Sequence, residues 1–283
     1  LLLRYPVLSV DNNIGFGLEA AALTDALAAS DDATFRAAAL RWLAAREHRR
    51  ALLPLSATQY EDGVEFCEGL AKYTEYRLFT ALEGRAHGAG LDHAQGFHGY
   101  HDLSTQRRSL LRQMQRQMRG VVNVNNAPYG TAPLRMRLYY SGMAMGVLLD
   151  RLSSTWKRDV MTTDSSLTAL ARAAVHATPE ELSQAWEQSR SDTAYRSLAA
   201  AKQRLHDDGE HDALARLAAI EHGPGTGVVV DYSKLGSRRV SHLISMALPR
   251  FCDQTLTGTR KEDLYPHGPD WLAKLDTIVH ELY

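Results

Sequence analysis

From residue 15 to 29 (GFGLEAAALTDALAA) apolar side chains return every three or four positions, the period of a helix that buries one face. Asp31 and Asp32 then offer N-terminal caps to a second helix reaching to about Leu53. A third helix is expected to start near Tyr60 and to carry EDGVEFCEGLAKYTEYRLFTAL. The glycine- and histidine-rich stretch after it, RAHGAGLDHAQGFHGYHD, reads as a loop or irregular insert. The pattern predicts further helices over residues 104–119, 134–152, 165–175, 179–189 and 192–220, and Thr178 with Glu181 has capping-box spacing. One convincing strand, VVVDY at 228–232, follows a glycine-rich break, and Pro269 with Asp270 opens a final helix, DWLAKLDTIVHELY. The expected fold is mainly α with minor β, a single domain over residues 1–283 without a clean linker.

Composition narrows the partners more than the chemistry. Lys and Arg number 32 against 33 Asp and Glu, so the net charge of -1 gives no general attraction for phosphate backbones. The one basic run is RRSLLRQMQRQMR at 107–119, and nucleic acid is not an expected partner. No apolar stretch approaches the roughly 18 residues of a membrane span. Cys67 and Cys252 allow at most one disulfide and cannot make a zinc site alone. Neither compartment nor oligomeric state follows from these counts.

Twelve histidines invite metal or proton chemistry, yet most have ordinary explanations. His176, His206, His211 and His222 fall near expected helix ends or polar turns, and His87, His93, His98 and His101 fall in the glycine-rich loop. His48 shares a helix with Arg46, Arg49 and Arg50 and is expected to face solvent with them. Glu19, on an Ala-rich helix, is expected to be exposed, with a metal-ligand or supporting role ranked below that. The pattern of greater interest is Glu61, Glu65, Glu68 and Glu75, which offsets of three, four and seven residues place on one broad helix face. Such a stripe is either solvated or turns one carboxylate inward to bind a cation. Cys67, in its midst, is expected to serve as a small apolar filler.

The segment Cys67-Glu68-Gly69-Leu70-Ala71-Lys72-Tyr73-Thr74-Glu75-Tyr76 resembles the EGxAxYxEY helix of gluzincin metallopeptidases, especially the aminopeptidase N group. The resemblance implies that Glu68 is a zinc ligand. Further on, Tyr139-Tyr140-Ser141-Gly142 resembles the family's YxKG helix, with Ser141 in place of Lys. It implies that Tyr139, or the adjacent Tyr140, stabilises the oxyanion of a tetrahedral intermediate. The family's HExxH does not occur in the chain, but VHELY at the other end supplies its first residues, with His280 as a metal ligand and Glu281 as the general base. Relative to the family the chain would then be permuted or incomplete, and His280 should lie within metal-sharing distance of Glu68. On this reading the protein is a gluzincin-like, Zn2+-dependent hydrolase of peptide or small amide substrates. The alternative is a metal-free helical binding or scaffold module that retains a gluzincin-like fold.

Overall fold

The computed structural model describes residues 5–6, 9–91, 93–95, 97, 99–119 and 132–221. Among them the chain is mainly α, with helices α1 (Val10–Ala28), α2 (Asp32–Ala51), α3 (Leu55–Val64), α4 (Leu70–Leu82), α5 (Leu103–Arg119), α6 (Ala132–Leu152), α7 (Trp156–Thr162), α8 (Leu167–Val175), α9 (Pro179–Ser191) and α10 (Thr193–Glu221), and no strand among the described residues. The strand expected at 228–232 and the final helix bearing His280 and Glu281 lie outside them. The chain divides into two compact units, one formed by Pro6–Val122 with Leu134–Gln203 and the other by Leu1–Tyr5, Asn123–Pro133 and Arg204–Tyr283. The described part of the second unit is chiefly residues 204–221, where His206 Nε2 lies 3.6 Å from Glu210 Oε1 one turn on. The helix packing and the buried charges belong to the first unit.

Local chemistry fixes where the helices of the first unit begin. The Ser9 hydroxyl accepts the Asn12 amide at 3.2 Å to cap α1, and the Asp31 carboxylate accepts the Thr34 amide at 2.8 Å to cap α2. That backbone hydrogen bond, with one from the Thr34 side chain, holds the Asp31 carboxyl below its ordinary value. The Thr178 hydroxyl and the Glu181 carboxylate exchange hydrogen bonds with each other's backbone amides, completing the box that starts α9. Against α1 packs α2, which also meets α8 and α9, while α5 packs on α1 and α4. Phe16, Leu23, Trp42, Leu43, Met114 and Met118 fill the space between them.

Two features depart from the periodic reading. Helix α7 falls where the pattern shows no element. Tertiary contacts anchor it, because Trp156 donates its indole N–H to Asp150 at 3.1 Å and meets the Tyr73 ring edge-on at 5.3 Å. The run expected as one helix from Tyr60 starts at Leu55 instead and is interrupted by a π turn, Glu65–Gly69. There the Leu70 amide reaches the Glu65 carbonyl five residues back.

The π turn faces α6 through backbone rather than side chains. A Cβ placed on Gly69 would sit 2.6 Å from Gly142 Cα, and one on Gly142 would sit 2.6 Å from the Glu65 carbonyl oxygen. One turn along α6, a Cβ on Gly146 would sit 2.6 Å from the Tyr73 ring. The two segments singled out in the sequence therefore touch at their glycines. Gly142→Ala is expected to destabilise the chain by about 1–3 kcal/mol through overpacking. Gly63→Ala, on an exposed helical position with open space around it, should be neutral or stabilising by up to about 1 kcal/mol. Urea unfolding of both variants checks the contrast.

Lys202 is buried and donates its ammonium to the Arg119 carbonyl at 2.6 Å. Burial, aided by the charge of Arg137, pulls the ammonium down from 10.5 to about 8. Between those values the unfolded chain binds a proton that the folded chain does not, so this group adds stability as pH rises through the window. Subtracting the unfolding free energy of Lys202→Met from that of the unaltered chain should give a difference that grows from pH 8 to pH 10. Parallel pH profiles would contradict it.

Candidate functional site

Behind the π turn lies a group of charges removed from solvent. Arg46 and Arg49 of α2, Glu19 of α1, and Glu61 and Glu65 of the α3 segment have side chains at most 1% exposed. Arg46 donates to Glu19 at 3.0 Å, to Glu65 at 2.5 Å and through Nε to the Thr168 hydroxyl at 2.8 Å. Arg49 donates to Glu19 at 2.6 Å, to both oxygens of Glu61 at 2.5 and 3.0 Å, and to Asn12 Oδ1 at 3.0 Å. Its guanidinium also lies 3.9 Å from the centre of the Phe16 ring. A Cβ on Gly15 would come within 2.5 Å of the Arg49 side chain, so only glycine leaves room for it to pass α1. At the rim, Arg50 grips both oxygens of Asp62 at 2.7 Å each.

This corrects three expectations. Arg46 and Arg49 are buried rather than solvent-facing, because positions 46, 49 and 50 share one side of α2 and meet carboxylates there. His48 alone is exposed, stacked on Trp186 with centroids 3.8 Å apart. Glu19 is fully buried, since two guanidiniums compensate its desolvation. Cys67 is exposed rather than a core filler. The acidic stripe is also divided. The extra residue of the π turn rotates the helix beyond it, so Glu61 and Glu65 point inward whereas Glu68 and Glu75 reach partial exposure.

Glu68 faces the start of α6. Its Oε1 accepts from Arg135 Nη2 at 2.5 Å, and the hydrogen bonds of Arg135 and the Tyr139 phenol hold its carboxyl below the ordinary value. The Arg135 guanidinium lies 5.7 Å from the Tyr139 ring centre. Beside them, burial pushes the Tyr60 phenol up, opposed by the Arg135 charge. Tyr140 turns the other way: it is buried and donates to Gln113 Oε1 on α5. Of the residues singled out in the sequence, the structure brings Glu68 and Tyr139 together and keeps Tyr140 apart, while His280 and Glu281 lie outside the described residues. In the histidine-rich loop, His87 packs edge-on against Phe97 and Tyr100. Among the described residues no three His, Cys, Asp or Glu side chains are gathered as a metal site.

Ser141 joins the two layers of the site. Its hydroxyl hydrogen-bonds Glu65 Oε1 and lies 3.3 Å from the Leu138 carbonyl. The sequence carries a signal for the buried group: Arg46, Arg49 and Arg50 repeat at three and four, complementary to Glu61 and Glu65 at four. No family model matches the chain, and neither does any curated protein or solved structure. No described helix is long and apolar enough to cross a membrane.

Arg46→Met strands the buried Glu19 carboxylate and removes the donor to Glu65, and the expected loss is about 3–5 kcal/mol. Arg135→Met removes an exposed pair and should leave the unfolding midpoint nearly unchanged. In that variant the Glu68 carboxyl should titrate higher, toward the ordinary glutamate range, as followed by carbon NMR of its side chain. Because the folded value is depressed, the pairing with Arg135 is present at neutral pH and is lost as pH falls through that value.

Proposed function

We propose that the protein is a zinc-dependent hydrolase of peptide or amide bonds, in which Glu68 is one metal ligand and Tyr139 donates a hydrogen bond to the reacting carbonyl oxygen. The observation that carries this reading is the convergence of the two motif segments. Glu68 and Tyr139 come from distant parts of the chain, belong to segments in backbone contact at Gly69 and Gly142, and meet the same guanidinium, that of Arg135. Glu68 is also partly exposed, as a ligand reached by substrate must be.

Glu68 supplies a single donor among the described residues, so the fit to zinc is partial. His280 as a further ligand and Glu281 as the base belong to this reading through the sequence alone. When bound, zinc supplies a water that ionises near pH 7. The residues in place would act around it: Tyr139 would offer a phenolic donor to negative charge developing on substrate, and Arg135 offsets the Glu68 charge beside it. A metal-free scaffold is the second reading, favoured by the Arg135 partner that already satisfies Glu68.

Expression with ample zinc, metal analysis of the purified chain and assay on a panel of peptide and amide substrates separate the two. Stoichiometric zinc, chelator-sensitive cleavage and loss of both in Glu68→Gln are expected. Tyr139→Phe should keep the zinc and lower kcat by roughly 100-fold. A chain that retains no zinc and whose properties are indifferent to chelation is a scaffold.

A further inference from the structure

Glu65 lies beneath the candidate centre and has no part in the proposed hydrolytic chemistry. Glu19, Glu61 and Glu65 carry three carboxylates into a region where Arg46 and Arg49 supply two guanidiniums, all five almost free of solvent. At the rim Arg50 adds a third guanidinium, 2.7 Å from Asp62 and 3.9 Å from Glu61 Oε2, and Asp62 adds a fourth carboxylate, so this pair leaves the balance unchanged. With all five buried groups ionised, one negative charge is left in excess, and Glu61 and Glu65, one turn apart on the same buried side, repel each other.

The hydrogen-bond donors are shared unequally among the three carboxylates. Glu19 receives one N–H from each arginine, at 3.0 and 2.6 Å, and Glu61 receives two from Arg49, at 2.5 and 3.0 Å. Glu65 receives one guanidinium N–H, from Arg46 at 2.5 Å, and its other oxygen faces the Ser141 hydroxyl. That hydroxyl has a single proton: if Glu65 is ionised it donates to Glu65, and the Leu138 carbonyl keeps its helical partner alone. If Glu65 holds the proton, Ser141 accepts from it and is free to donate to Leu138 as well, so both contacts of the hydroxyl become hydrogen bonds. From α8, Thr168 offers a neutral hydroxyl to Arg46, and Arg137 of α6 is directed to Asn13 at 2.7 Å and to the Gln117 carbonyl at 3.2 Å.

We infer that Glu65 is held as the neutral acid with its Oε1–H donated to Ser141, and that this bond is a positioning contact that sets α6 so that Tyr139 and Arg135 meet Glu68. Burial pushes the Glu65 carboxyl up in the same sense, reinforced by Glu61 and opposed by Arg46 and by the Ser141 hydrogen bond. The link to hydrolysis rests on the zinc reading. The protonation and the positioning do not, and they are tested without metal or substrate.

Difference infrared spectra of the full chain against Glu65→Gln at neutral pH should show a protonated-carboxyl stretch that the variant lacks. Glu65→Gln should melt within roughly 3 °C of the unaltered chain, since an amide both donates to Ser141 and accepts from Arg46. If Glu65 is a carboxylate, the band is absent and the same variant removes one of the two counter-ions of Arg46, lowering Tm by roughly 10 °C or more; either result overturns the assignment. For the positioning role, Ser141→Ala should move the Glu68 carboxyl titration up toward the ordinary range, while Glu65→Gln leaves it in place. An unmoved Glu68 titration in Ser141→Ala overturns that role and leaves the outcome of the zinc assay unaffected.

Discussion

Two guanidiniums inside a helical core set the terms for the rest of the first unit. Taking Arg46 and Arg49 out of water is tolerable only if acceptors with good geometry come with them, and the carboxyl groups of Glu19, Glu61 and Glu65 meet that demand from two other helical segments. The demand is directional, because the planar fork of each arginine engages partners only along its N–H bonds. It therefore restricts how α1 and the α3 segment lie on α2. It also accounts for Gly15, whose missing side chain gives Arg49 its path, and for the Phe16 ring beneath that guanidinium. Apolar packing by Phe16, Trp42 and Leu43 supplies the general drive to bury these faces, and the charges select one arrangement among many.

The π turn follows from the same constraint. A regular helix through Glu61, Glu65 and Glu68 would keep all three on one broad side, yet the core has donors for the first two only. Widening the helix by one residue between Glu65 and Gly69 leaves Glu65 with Arg46 and swings Glu68 out to Arg135. Gly69 and Gly142 then allow backbone contact with α6, which places Ser141 against Glu65 and Tyr139 against Glu68. A buried electrostatic layer and a partly exposed one are thus stacked across a single helix crossing.

Much of the helical organisation is legible from the chain itself. The expected helices near 104–119, 134–152 and 179–189 correspond to α5, α6 and α9, because their apolar positions recur with helical period and, for α9, because Thr178 and Glu181 form a capping box. Helix α7 is not legible, since its stability comes from Trp156 meeting Asp150 and Tyr73. Nor is the direction of the acidic stripe, because a one-residue change in helical register lies below what periodicity resolves. The matched spacing of Arg46 and Arg49 with Glu61 and Glu65 is visible in the sequence, but their burial is not, because it depends on Glu19 of α1 closing the group from a third segment.

Period and motif spacing are local properties, and they suffice for a mainly α protein and for drawing attention to Glu68 and to residues 139–142. Packing in three dimensions settles the rest: Tyr139 rather than Tyr140 meets Glu68, Glu19 and Glu65 are buried, and Ser141 bridges the two layers. Those outcomes depend on which charges find partners when the helices come together, and the cost of a buried charge is defined only once its neighbours are in place.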